Sequence, residues 1–188
     1  MSAGKAALRR ALKAHPVPGD DLALCRNILD HPWFQAADTV MAYMAMPSEP
    51  DLGPVLEEIL RQGKGLVLPR CEADGVTMTG RLVERLDALI PGVFGILEPS
   101  GDLPVVRAEE IDLILTPGMA FDPSGGRLGR GKGYYDRFLT GYTGHAVGVC
   151  RAGNLLERIP MEPGDVPMQA VITDRQALIC GRTEDDAV

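Results

Sequence analysis

Residues 125–137 read Gly-Gly-Arg-Leu-Gly-Arg-Gly-Lys-Gly-Tyr-Tyr-Asp-Arg, so Gly129, Gly131 and Gly133 alternate with Arg130 and Lys132, and Arg127 stands just ahead of them. Glycine has no Cβ and tolerates φ > 0, which lets successive backbone N–H groups converge on an anion. Arginine and lysine add charge-assisted hydrogen bonds to the same oxygens, and the planar guanidinium fork suits phosphate well. The pattern is that of a phosphate cradle. Two common phosphate loops do not fit it. Gly126, Gly131 and Lys132 match the glycine and lysine positions of the nucleotide loop, but Gly133 occupies the Ser/Thr position whose hydroxyl would bind magnesium. The dinucleotide pattern fails at Tyr134, where a small residue is required. An oxygen ligand for a metal must then come from elsewhere, and Asp136 stands three residues after the missing hydroxyl.

Taken alone, the same composition also describes a flexible basic loop, or a single-strand nucleic-acid segment with Tyr134 and Tyr135 as stacking platforms. Its surroundings favour the cradle. Leu113 to Pro117 is a short apolar run ahead of it, and Tyr134 to Leu139 reads as a helix start behind it. A loop that joins a buried strand to a helix N-terminus is a place where anions bind. A formal net charge of −7 opposes general nucleic-acid binding, which depends on a basic surface. Basic residues concentrated against that background suit a small anion steered into one cleft.

The elements that must position the cradle can be read in order. Gly4 to Ala14 has Leu8 and Leu12 at helical spacing, with Lys5, Arg9 and Lys13 along another face. Asp20 or Asp21 can cap a second helix running to about His31, which Pro32 closes. Thr39 to Met44 reads as a buried strand, Met46 to Asp51 as a loop, and Leu52 to Gln62 as a helix with Val55, Leu56 and Ile59 inward. Gly65 to Pro69 is the next strand, giving a right-handed β-α-β unit with parallel strands. An Asp74-Gly75 turn predicts a hairpin between Leu66–Pro69 and Val76–Thr79. His145 to Cys150 and Val171 to Asp174 read as further strands. This order predicts an open, largely parallel α/β sheet with helices on both faces. Glu49 falls where strand passes to helix, the edge at which ligands collect in such sheets.

At 188 residues and 45% hydrophobic content, one domain spanning 1–188 is expected. Cys25, Cys71, Cys150 and Cys180 form no C-x-x-C pair, which suits reduced thiols in a cytoplasmic protein. No apolar run reaches the length of a signal peptide or a membrane span, so a soluble protein is expected. His15, His31 and His145 lie in no serine or cysteine triad pattern, and Glu184 to Asp186 reads as a frayed acidic tail.

Thr116-Pro-Gly-Met-Ala-Phe-Asp122, followed by Gly126-Arg-Leu-Gly-Arg-Gly-Lys-Gly-Tyr-Tyr-Asp136, resembles the signature of the 5-formyltetrahydrofolate cyclo-ligase family. The resemblance implies a three-layer α/β/α fold like that of sugar-phosphate isomerases and CoA transferases. It also implies ATP-dependent conversion of 5-formyltetrahydrofolate to 5,10-methenyltetrahydrofolate, ADP and phosphate. By the same resemblance ATP is contacted by Lys5, Arg9, Arg127, Leu128, Gly129, Arg130, Gly131, Lys132, Gly133, Tyr134 and Tyr135. Arg130, Lys132 and Tyr134 would act at the reacting groups, Met44 and Glu49 with Arg130 and Tyr134 would hold the folate, and Asp136 and Asp174 would hold Mg²⁺. Small-molecule substrates, no nucleic-acid or membrane partner, and a monomer are expected. The chain departs from the family pattern at Gly80, near which an aromatic is usual, at Leu97 in place of proline, and at Gly164 in place of histidine. A sugar-phosphate isomerase would use the cradle for a phosphate ester without ATP, and a nucleic-acid module would use Arg130 to Tyr135.

Overall fold

The computed structural model describes residues 3–92 and 95–181; Phe94 and the acidic segment Glu184 to Asp186 lie outside the described residues. Helix α1 (Ala3–Ala14) turns Leu8 and Leu12 onto Ala120, Leu128 and Ile159. Helix α2 (Asp21–Leu29) starts at Asp20, whose carboxylate accepts the Ala23 N–H at 2.9 Å. It stops at Leu29, and Pro32 opens a separate helix α3 (Pro32–Ala36) instead of simply ending α2. Proline suits a first helical position because no N–H is needed there.

Strand β1 (Thr39–Met41) is shorter than its apolar run, and helix α4 (Gly53–Arg61) buries Val55, Leu56 and Ile59. Strand β2 (Gly65–Cys71) lies parallel to β1. The expected hairpin forms with β3 (Met78–Val83), in register from Leu66 opposite Val83 to Cys71 opposite Met78. It starts two residues later than the sequence suggests because Asp74 holds the N–H groups of Val76 and Thr77, at 2.9 and 2.8 Å, inside the turn. There follow β4 (Ile90–Pro91), β5 (Leu97–Glu98) and β6 (Val105–Val106). Beyond them come β7 (Leu113–Pro117), β8 (Ala120–Phe121), β9 (Arg127–Leu128), α5 (Tyr134–Phe138), β10 (His145–Val149), β11 (Ala170–Ile172) and β12 (Ala177–Ile179).

The main sheet has the order β12-β11-β10-β7-β1-β2-β3-β6. Its centre, from β11 to β2, is parallel, while β12, β3 and β6 are antiparallel additions at the two edges. Val40, Leu66, Leu68, Leu113 and Leu115 belong to one apolar cluster, and Met41, Val67 and Ile114 to another. Successive strand residues point to opposite faces, so both faces of the central strands are covered. Leu24, Ile28, Phe34 and Leu56 fill the first cluster, Phe121 and Leu139 the second.

From β1 the chain passes through α4 to β2 on one side, whereas β7 and β10 lie on the other. The loops after β1 and β7 therefore diverge at a switch in strand order, leaving a crevice at the carboxyl ends of these two strands. Among the described residues, no helix is long and apolar enough to cross a membrane.

Candidate active site

The loop after β7 is folded by a buried carboxylate. Asp122, 2% exposed, accepts the N–H groups of Ser124 and Gly126 at 2.9 Å each and of Ile159 at 2.6 Å. It thereby closes the β8–β9 turn, whose Gly125 has φ +87 and would put a Cβ 2.2 Å from the Met168 carbonyl oxygen. The chain emerges from β9 into residues 129–133, where Gly131 and Gly133 take φ of 98 and 69. Those values favour glycine and explain why the cradle is built from it. Gly133 caps α5, and two contacts anchor that helix to the β2–β3 turn. The Tyr134 hydroxyl donates to the Gly75 carbonyl at 2.8 Å, and Arg137 donates to the Val76 carbonyl at 2.6 Å.

The two loops enclose a cavity of about 290 Å³. Lys5, Arg9, Arg127, Arg130 and Lys132 line it, together with Gly129, Gly131, Gly133, Tyr134, Tyr135 and Asp136. The β1 loop adds Met44, Met46 and Glu49, β2 and β3 add Pro69, Cys71 and Met78, and Ile96 joins them from just ahead of β5. Nearly all of the sequence-derived site residues thus converge on one space. Leu128 does not line it, because its fully buried side chain packs between α1 and Ile159. Asp174 does not line it either. Its two oxygens accept the N–H groups of Ala152 at 2.6 Å and Asp20 at 3.3 Å, which makes it a cap between two loops. The structure does not bring it together with Asp136.

Cations and carboxylates of the cavity pair with each other. The Lys5 ammonium donates to Asp165. Arg127 pairs with Asp136 at 2.8 Å, and Arg130 Nε lies 3.0 Å from Glu49 Oε1. Arg9 Nε donates to the Gly129 carbonyl at 2.7 Å, fixing α1 against the cradle. Arg127 is 7% exposed and its guanidinium also lies 5.6 Å from the centre of the Tyr135 ring. It braces the site as well as facing it. Burial pushes the Asp165 carboxyl up, but the Lys5 ammonium and the Glu162 N–H outweigh this and hold it below the usual range. Burial, reinforced by Glu49, raises the Tyr135 phenol far above its ordinary value, so it is a neutral donor. Its hydroxyl oxygen is buried and has no hydrogen-bond partner among the described residues.

Sequence reasoning missed Asp165, Glu162 and Glu98, all of which line the cavity. The first two sit in an irregular segment without hydrophobic periodicity, and the departure from the family pattern at Gly164, between them, was the available signal. Gly164, with φ +93, serves the turn in which the Asp165 N–H meets the Glu162 carbonyl at 3.0 Å. Gly80 is closed in by Val67, the Val106 carbonyl and the Phe138 ring and does not line the cavity, whereas Met78 and Ile96 do. Among the described residues, no group of three or more His, Cys, Asp or Glu could cage a metal ion. Asp136 lines the cavity beside the cradle.

Residues 5–174 match the profile of the 5-formyltetrahydrofolate cyclo-ligase family, a span that takes in α1 from Lys5 onward, the β1 loop, the cradle and Asp174. The chain belongs to this family. Among cyclo-ligase relatives, the 5-formyltetrahydrofolate cyclo-ligase of Mycolicibacterium smegmatis is 38% identical over 150 residues, covering 77% of each chain. That of Escherichia coli K12 is 31% identical over 173 residues, covering 88% of this chain and 93% of its own. The NMR structure of 5,10-methenyltetrahydrofolate synthetase from Aquifex aeolicus superposes with a TM-score of 0.83 at 31% identity, over 96% of this chain and 94% of that one. A synthetase from Mycoplasma pneumoniae, 20% identical, shares the fold with a TM-score of 0.71 over 90% of this chain and 98% of that one.

Proposed function

We propose that the protein closes the ring of 5-formyltetrahydrofolate to 5,10-methenyltetrahydrofolate at the expense of ATP, releasing ADP and phosphate. One observation carries this reading: the cationic glycine-rich loop and the Glu49 loop, distant in sequence, line a single cavity beside apolar side chains. A polyphosphate and a flat heterocycle could meet there.

The chemistry explains the cations. A formamide is a poor electrophile whose oxygen leaves badly. In the proposed reaction the formyl oxygen bonds to the γ-phosphorus, and the bond from that phosphorus to the β–γ bridging oxygen breaks, its electron pair leaving with ADP. The N10 lone pair then bonds to the formyl carbon, the carbon–oxygen bond breaks, phosphate leaves with that pair, and N10 loses its proton. The protein's part in such phosphoryl transfer is positioning and charge stabilisation. We assign Lys5, Arg9, Arg127, Arg130, Lys132 and the N–H groups of residues 129–133 to the phosphates. Glu49 would accept hydrogen bonds from the amino-pteridine edge, with Met44 and Tyr134 against its rings. Magnesium, held by Asp136 with phosphate oxygens and water, would neutralise part of the triphosphate charge. Asp174, which accepts the N–H groups of Ala152 and Asp20 and does not line the cavity, is left out of this assignment.

The test is appearance of methenyl absorbance from 5-formyltetrahydrofolate, with ADP formed in equal amount. Turnover without ATP consumption, or isomerisation of a sugar phosphate in place of folate chemistry, would overturn the proposal.

A further inference from the structure

Asp174, just after β11, binds the backbone of Ala152 and of Asp20, and so brings their chain neighbours Arg151 and Asp21 together. Arg151 Nε and Nη2 donate to the two carboxylate oxygens of Asp21, each at 2.8 Å. The pair then grips the β1 loop on both sides of Pro50. Arg151 Nη2 reaches the Glu49 carbonyl at 3.4 Å, and Asp21 Oδ2 accepts the Asp51 N–H at 3.0 Å. The Tyr43 hydroxyl donates to the Pro50 carbonyl and the Cys25 thiol to the Asp51 carbonyl, at 3.4 Å each, while the Glu49 N–H meets the Met46 carbonyl at 2.8 Å. Pro50 has no N–H to place, so every backbone polar group of residues 49–51 has a partner. Arg151 is itself confined, because Gly19 lies against its stem and a Cβ there would come within 2.6 Å of its Cγ and Cδ.

We propose that Arg151 is a positioning residue for the folate, which holds, through its pair with Asp21, the stretch of backbone from which Glu49 reaches the cavity. The inference rests on the function proposed above and on the place of Glu49 in it. Its physical basis is order. A carboxylate on a loop accepts paired hydrogen bonds only after the loop is fixed, and the entropy of fixing it weakens binding unless the fold has already done so. A planar guanidinium suits this task, because one side chain can bind both oxygens of Asp21 and still reach a third acceptor. Arg151 does not line the cavity, so an effect on a ligand must pass through the loop that it holds. Its contact is with the Glu49 main chain, which leaves the Glu49 carboxylate facing the cavity. Asp174 takes part by setting the register between the segment after β10 and the start of α2.

The test is calorimetric binding of 5-formyltetrahydrofolate and, separately, of a non-hydrolysable ATP analogue to the wild type, Arg151→Met, Glu49→Ala and the double variant, with circular dichroism to check folding. Arg151→Met keeps the stem and removes the fork. It should weaken folate binding about five-fold and leave analogue affinity within about two-fold, the size expected of coupling between neighbouring groups. In the Glu49→Ala background the same substitution should change folate affinity by less than about two-fold, because no carboxylate remains to be positioned. A merely structural Arg151 would show its full loss in either background. Equal loss of both ligands, full additivity with Glu49→Ala, or unchanged folate affinity in Arg151→Met would overturn the inference and leave the proposed function standing. Folate binding that Glu49→Ala does not alter would overturn it together with the assignment of Glu49, and a wild type that binds no folate would overturn the proposed function as well. If Arg151→Met does not fold, Gly19→Ala decides the matter. Its methyl group displaces the Arg151 stem and removes no hydrogen-bonding group. Folate affinity should then fall about three-fold with analogue affinity unchanged, and unchanged folate affinity would overturn the inference.

Discussion

Arg130 and Glu49 hold each other across the cavity, with Arg130 Nε 3.0 Å from Glu49 Oε1 and its Nη2 2.7 Å from the Ser48 hydroxyl. Glu49 Oε2 accepts the Met46 N–H at 3.0 Å, so each carboxylate oxygen has one partner, and the side chain is 9% exposed. A cation assigned to phosphate and a carboxylate assigned to the pteridine thus contact one another directly. Glu49→Gln should raise the KM for 5-formyltetrahydrofolate about ten-fold, the worth of a charge-assisted hydrogen bond. The KM for ATP should not rise, because the substitution releases Arg130. Steady-state kinetics with each substrate varied in turn checks this, and an equal rise for both would remove Glu49 from the folate.

Tyr135 offers a different test, because the residue lines the cavity while its buried hydroxyl has no hydrogen-bond partner among the described residues. A bond not made in the free protein contributes nothing to its stability. Tyr135→Phe should therefore leave Tm unchanged within about 2 °C, or raise it, and yet weaken substrate binding. A loss of Tm with unchanged KM would mean that the hydroxyl serves the fold.

For the metal, the structure alters what a substitution would cost. Asp136 carries a hydrogen bond from buried Arg127, so Asp136→Asn should lose about 1–3 kcal/mol of stability as well as raise the Mg²⁺ needed for half-maximal turnover. Lys132→Ala should weaken ATP binding without a shift in the Mg²⁺ midpoint, since Lys132 is exposed and offers no oxygen. Asp174→Asn should lower Tm through its caps and leave the midpoint in place. A shifted midpoint in Asp174→Asn would make it a ligand after rearrangement.

Much of this arrangement is legible in the sequence where the physical signal is local. The alternation of glycine with basic residues marks the cradle, and the apolar run of β7 and the inward positions Val55, Leu56 and Ile59 mark the layers around it. The antiparallel edges are less legible. Ala177 to Ile179 is short and partly exposed, so β12 lacks the apolar run that identifies β10. The β8–β9 turn is set by Asp122, whose third bond reaches Ile159 and is invisible to spacing. The partners of the cations are hidden for the same reason. Lys5 and Asp165 are joined by the fold and not by any periodicity, and a basic stripe on α1 reads equally well as a solvated face.

The acid side of the stability profile can be predicted from Asp21. Arg151 donates to both of its oxygens at 2.8 Å, and the Asp51 N–H adds a bond at 3.0 Å. Burial pushes this carboxyl up, but the Arg151 fork and the backbone bond outweigh it, leaving its pKa below the ordinary value. The folded protein then takes up this proton less readily than the unfolded chain does. The pair accordingly stabilises fully above the unfolded-state value of about 4, and the stabilisation fades as pH falls through the lower folded value. Asp21→Asn removes that dependence, because an amide does not titrate. At pH 7 the variant should melt several degrees below the wild type, for a loss of about 1–3 kcal/mol. The gap should close steadily once the pH drops below about 4. Thermal unfolding of both proteins at pH 7, 5, 4 and 3 gives the measurement. A gap that stays constant over that range would show that Asp21 is replaced by asparagine through shape alone, and that the charge of the Arg151 pair contributes nothing to holding α2 against the end of β10.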